Sequence, residues 1–154
     1  MDDTTFTASV YYEDPKAALA WLVDAFGLEI TMAIDGPPEA PEACHYEMAL
    51  EGKGRVMVGG QWTSAIRSPR GMGGVNTQSL HVHLDGALDA HCARARAAGA
   101  EIAQEPADQF YGDRTYRAID LEGHMWTFAA HVRDVSRAEA EASLGQPITA
   151  TNWA

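Results

Sequence analysis

Apolar and polar residues change period along the chain. Residues 6–12, FTASVYY, alternate as a half-buried strand does. After Asp14-Pro15 the rhythm lengthens, and Ala17, Leu19, Trp21, Leu22, Ala25 and Phe26 carry the apolar content of a helix. Asp14 supplies an N-cap acceptor and Pro15 a pre-set φ at the first helical position, while Gly27 sits where a left-handed residue ends a helix. Strands near residues 29–35, 44–50 and 55–59 follow, with Gly52-Lys53-Gly54 as a hairpin turn. The order then recurs. A strand at 78–84 leads to Asp85 as N-cap, a helix at 88–98 stopped by Gly99, a short strand at 101–103, and a hairpin of strands 115–121 and 124–131 joined through Glu122-Gly123.

Direct comparison of the two halves supports a duplication. A shift of 72 residues lays Gly27-Leu28-Glu29-Ile30 on Gly99-Ala100-Glu101-Ile102, and a shift of 71 lays Leu50-Glu51-Gly52 on Leu121-Glu122-Gly123. The chain therefore divides into a first βαβββ module at 1–60, an inter-module loop at 61–76, a second module at 77–131, and a C-terminal helix and tail at 132–154. In that last piece Ser136 and Glu139 form the S-x-x-E capping box of a short helix reaching about Leu144, and the remaining tail is loose unless Trp153 docks.

Composition narrows the functional classes. The chain has 154 residues, fits one compact unit, and is 46% hydrophobic. Its net charge of −11 opposes binding to nucleic acid and to anionic lipid, and favours a cationic or neutral small ligand. MDDTTF does not read as a signal or transit peptide, no run is long and apolar enough for a membrane span, and a cytoplasmic setting is expected. Cys44 and Cys92 have no CxxC spacing and build neither a disulfide framework nor a zinc knuckle.

Two tandem βαβββ units, FG-x-E closing the first helix, and YGDR…D-x-x-GH-x-W in the last hairpin resemble the vicinal oxygen chelate superfamily, and within it the glyoxalase/bleomycin-resistance branch. The resemblance covers residues 6–131 and implies an α+β fold in which two curled mixed sheets enclose a cavity, usually completed by a homodimer. Metal-dependent members take one ligand from the first strand and a carboxylate from the last strand of each module. The matching positions here are Thr7, Ser79 and Thr127, and the segment Arg55-Val56-Met57-Val58-Gly59-Gly60 holds no His, Asp or Glu. Neither a metal nor another cofactor is expected from that set.

Alternation assigns the remaining side chains. With Thr127 on the cavity face, Trp126 and Phe128 turn toward the helices as core, and His124 serves the hairpin end rather than chemistry. Leu80, Val82 and Leu84 form an apolar stripe, which leaves Ser79, His81 and His83 on the concave face, matched by Thr7, Ser9 and Tyr11. Arg114 has two readings, a fork for an anionic or carbonyl group or a structural ion pair that locks its loop. His91 is read as a solvated surface residue. The loop 61–76 is a connector or a cavity cover, since Trp62, Ile66 and Met72 are costly to expose.

The resulting expectation is a small-molecule-binding protein that sequesters an antibiotic-like ligand without metal. Met48, Met57, Met125 and Trp62 supply adaptable apolar walls, and Tyr11, His81, His83, Arg114 and Thr127 the polar handles. The alternative is a glyoxalase-like lyase or isomerase using an atypical metal set around His81 and His83, or one of these histidines as acid or base. The missing last-strand carboxylates count against its metal version.

Overall fold

The computed structural model describes residues 5–153. In the first module β1 (Ala8–Tyr12), α1 (Pro15–Phe26), β2 (Glu29–Ile34), β3 (His45–Leu50) and β4 (Lys53–Gly60) follow in order. The second contains β5 (Leu80–Leu84), α2 (Leu88–Ala97), β6 (Glu101–Asp108), β7 (Asp113–Ile119) and β8 (Met125–His131), and α3 (Arg137–Leu144) comes last. Each module forms a four-stranded mixed sheet, ordered β1-β4-β3-β2 and β5-β8-β7-β6. In both, the first strand runs parallel to the last and the other pairings are antiparallel. Ala8 pairs with Val56 as Leu80 pairs with Trp126, so the duplication is visible in the register. The sheets curl without closing, and the fold is the α+β arrangement that the sequence implied.

The first helix is capped as read. Asp14 Oδ1 accepts from the Ala17 amide at 3.0 Å, Pro15 opens the helix, and Gly27 ends it at φ 70°. Its duplicate is not. Ala87, left-handed at φ 51°, holds the N-cap position of α2 with no side-chain bond, and Asp85 instead meets Lys53 Nζ at 2.6 Å across the two modules. The first hairpin turns at Glu51 and Gly52, both with positive φ, so β4 starts at Lys53, earlier than the Gly52-Lys53-Gly54 turn suggested. β6 runs through Pro106 to Asp108 because it is an outer strand, where the missing proline N–H costs no ladder bond.

The helices join the modules by completing each other's ends. The last carbonyls of a helix lack intrahelical donors. Arg94 of α2 supplies them to α1, its Nε reaching Asp24 O at 2.7 Å and its Nη2 reaching Val23 O at 2.8 Å. In return Trp21 Nε1 donates to Ala98 O at 2.9 Å. His91 is not the solvated residue that the sequence suggested. It lies half-buried under the Phe26 and Phe128 rings, with Nε2 donating to Phe26 O at 2.9 Å and Nδ1 accepting from the Tyr116 hydroxyl at 2.7 Å. Burial holds its imidazole below the ordinary range, which keeps the neutral form that this bonding needs.

A buried carboxylate makes the second junction. The Asp120 side chain, fully enclosed, receives the Tyr12 hydroxyl at 2.6 Å, Trp126 Nε1 at 3.0 Å, and the backbone amides of Glu122 and His124 at 3.0 and 2.9 Å. His124 Nδ1 approaches the same group at 3.3 Å. Glu122, also buried, accepts from the Glu13 and Asp14 amides at 2.7 and 3.0 Å, which fixes the β1–α1 corner of the first module. The aromatic core of Phe26, Trp126, Phe128 and Tyr116 packs beside this junction, with Trp126 and Phe128 on the helix side as alternation required. The tail is docked too, since Trp153 Nε1 donates to Val135 O at 2.7 Å.

Burial pushes the Asp120 carboxyl up, but its bonds from His124, Tyr12 and Trp126 outweigh that and hold it below the usual carboxylate range. A carboxyl that titrates lower in the folded chain than in the unfolded one stabilises fully above about pH 4, and this contribution fades as pH falls further. Tyr12→Phe removes one charge-assisted bond and should cost about 1.5–3 kcal/mol in urea melts at pH 7. The deficit should shrink as the melts are repeated toward pH 3, and a deficit independent of pH would contradict the ionised junction.

Candidate functional site

The edge strands β1 and β5 face each other between the sheets, and a crevice of about 540 Å³ opens along one end of that seam. Its floor is apolar, formed by Leu28, Met48, Val56, Leu80 and Trp126, all of which belong to the core. Its rim is polar, with Ser79 just before β5, His81 and His83 on β5 and Arg55 on β4, and the Lys53–Asp85 pair stands at its edge. The two imidazoles lie with centroids 5.0 Å apart and planes inclined by 47°. Partial burial and then the neighbouring His83 hold His81 below the ordinary imidazole range, against a weaker pull from Asp113. His81 is therefore uncharged at neutral pH, able to accept or donate one hydrogen bond.

The expected handles divide among several places. His81, His83 and Met48 line the crevice, Met48 from the core side. Met57, Met125 and Thr127 lie half-buried on the faces away from the helices, outside it. Tyr11 borders a second cavity at the opposite end of the seam. Trp62 is 61% exposed and reaches neither. Arg114 faces away from both. It shares the helix side of β7 with Tyr116 and Ala118, and its guanidinium is held by Asp89 of α2 at 3.1 Å and by Asp108 at 2.8 Å. Of its two readings the ion pair is the one that the geometry presents, with Asp89 and Asp108 as its partners.

Sequence reasoning passed over a polar group on the first sheet. Arg55 Nη1 lies 3.6 Å from Glu47, His45 Nε2 lies 3.1 Å from the same carboxylate, and Arg55 Nε donates to Thr7 Oγ1 at 3.4 Å. The bond from His45, aided by the charge of Arg55, holds Glu47 below the usual carboxylate range. Alternation with the buried Val56 and Val58 would have put Arg55 on this face with Met57.

The metal positions can be tested on this geometry. Ser9 pairs with Met57 and His81 with Thr127, so Met57 is the first-module equivalent of Thr127. Three hydroxyls and a thioether are a poor donor set for a divalent ion. Among the described residues no group of three or more His, Cys, Asp or Glu side chains sits together as a metal site would. The residues present do not fit the family's metal.

Paired βαβββ modules with a seam crevice define the class of protein to which this fold corresponds. The chain belongs to the Glyoxalase/Bleomycin resistance protein/Dioxygenase superfamily, whose profile matches residues 5–128. Among solved structures it is similar to TioX from Micromonospora sp. ML1, at 30% identity and TM-score 0.63 over 84% of this chain and 99% of that one. It shares its fold with TnmS3, an antibiotic binding protein from Streptomyces sp. CB03234, at 16% identity and TM-score 0.63 over 85% and 99%. UcmS2 is similar at 14% identity and TM-score 0.65 over 84% and 98%. No curated protein matches in sequence. Among the described residues no helix is long and apolar enough to cross a membrane.

Since burial and His83 act on His81 in the same direction, its ring should titrate in NMR with a midpoint below 6.5. Replacing His83 with Gln should raise that midpoint. An unchanged midpoint would mean that the two imidazoles do not sense each other.

Proposed function

We propose that the protein sequesters an antibiotic-like small molecule in the seam crevice and releases it unchanged. The observation that carries this reading is the crevice itself, an apolar floor under a rim of two histidines, a serine and an arginine. About 540 Å³ lies within the range of roughly 300–1,000 Å³ common to ligand pockets. The donor set that does not fit a metal favours binding over the metal-dependent chemistry of the superfamily. The likeness in fold to TnmS3, an antibiotic binding protein, agrees with it. The charge of −11 suits a cationic or neutral ligand in a cytoplasmic setting.

We place this activity in a homodimer. Met32 and Ile34 on the outer strand β2 are 44% and 55% exposed, on the same face as Glu47 and His45, and an apolar edge strand of this kind is commonly covered by a partner. Light scattering should give twice 16.6 kDa, and Met32→Lys should shift the mass toward one chain. A monomer at tens of micromolar wild-type protein would refute the dimer.

Trp126 forms part of the floor, so its fluorescence should report ligand entry. A cationic glycopeptide antibiotic and a neutral aromatic polyketide are suitable probes. The expected outcome is saturable quenching by at least one of them, weakened by His81→Ala by about 1 kcal/mol, roughly fivefold. The probe should be recovered chemically intact, from protein carrying less than about one-tenth equivalent of transition metal. Stoichiometric metal after dialysis against a mild chelator, or a rearranged probe, would instead favour the lyase or isomerase reading.

A further inference from the structure

The seam has a second opening, about 530 Å³, at the far end of β1 and the start of β5. By the register of the two sheets it is the duplicate of the first, with Tyr11 at the place of His83 and His124 at the place of Gly54. Its outer wall is the inter-module loop, which contributes Ile66, Met72 and Val75. That loop is fastened rather than loose. Arg70 Nη2 donates to Leu121 O at 2.8 Å and Asn76 Nδ2 to Gly123 O at 2.8 Å, so the middle and the C-terminal end of the loop are tied to the second hairpin.

His124 gives this cavity a recognition group. The residue is only 6% exposed, its ring rests on Tyr12 with centroids 4.5 Å apart, and Nδ1 faces the ionised Asp120 at 3.3 Å. A carboxylate accepts only, so Nδ1 carries a proton toward Asp120 and Nε2 is left as the free position. Among the described residues Nε2 has no hydrogen-bond partner, yet no enclosed side-chain nitrogen or oxygen is left unsatisfied. Nε2 must therefore reach accessible space, and the cavity that His124 lines is this one. The neighbouring amides cannot serve it, since Asn76 bonds Gly123 O and the Met125 amide, and Gln78 bonds Ser9 O. Arg67 stands at the rim with Nη1 occupied by the Thr63 and Ile66 carbonyls and Nη2 free among the described residues.

We infer that this second crevice binds a small, mostly apolar molecule carrying a hydroxyl or N–H donor, received by His124 Nε2, and an oxygen acceptor directed to Arg67. It is a site separate from the first crevice and does not depend on the function proposed there.

The test uses 4-hydroxybenzoate, with benzoate as the partner lacking the donor, followed by long-range proton–nitrogen NMR of the histidine rings. At millimolar 4-hydroxybenzoate the His124 Nε2 resonance should move while those of His81 and His83 stay. Benzoate should bind about tenfold more weakly, the size of one hydrogen bond. His124→Asn keeps an N–H for Asp120 but deletes the Nε2 position, and should bring 4-hydroxybenzoate down to the level of benzoate. Met72→Trp fills the cavity from an exposed loop position without touching the Asp120 junction, and should abolish binding even if His124→Asn fails to fold. An unmoved His124 ring, equal affinity for the two acids, or movement confined to His81 and His83 would overturn the proposal. The last outcome would still leave the first crevice standing as a binding site.

Discussion

One buried negative charge decides how the two halves of this chain sit together. Asp120 belongs to the turn of the second module, but its strongest short contact is the hydroxyl of Tyr12 at the end of the first strand, 108 residues away. A buried carboxylate is tolerable only when its lone pairs are filled, and here tyrosine, indole, imidazole and two backbone amides fill them. The position of β1 against the second hairpin follows from that requirement. So does the seam, because fixing β1 at one end leaves β1 and β5 side by side with a crevice at each end.

Much of this was legible in the residues. The helix boundaries of α1 followed from Asp14-Pro15 and Gly27, the core role of Trp126 and Phe128 from period-two alternation, and the duplication from two short matches at nearly one offset. The motif D-x-x-GH-x-W carried the junction in plain sight, since its Asp, His and Trp are three members of the Asp120 cluster. What the sequence did not disclose was Tyr12, because nothing local marks a tyrosine as the partner of a distant carboxylate.

The site was harder to read than the fold for a related reason. Arg114 stood open between a ligand fork and a structural ion pair from its place beside a loop, and its parity with Tyr116 and Ala118 turns it to α2, where Asp89 holds it. His91 looked like a polar residue on a polar helix. Its burial depends on α1 lying across α2, a relation between modules that no window of sequence contains. Asp85 does not cap α2, which begins behind the left-handed Ala87, and its carboxylate meets Lys53 of the other module instead. For His91 and Asp85 the departure from the local preference goes with a contact to the other module, whereas Arg114 is held within its own module by Asp89 and Asp108.

The exchange of helix ends has a further bearing on assembly. Arg94 closes α1 and Trp21 closes α2, and Tyr12 meets Asp120, but none of these bonds requires that both partners lie on one chain. Two chains that traded modules would satisfy every one of them. What favours the closed form is the tether 61–76, whose sixteen residues keep each module at high effective concentration for its own partner. The hydrogen bonds of Arg70 and Asn76 fold that tether back on the hairpin and shorten its reach. Loosening the tether would thus shift the balance toward domain exchange while leaving each module intact.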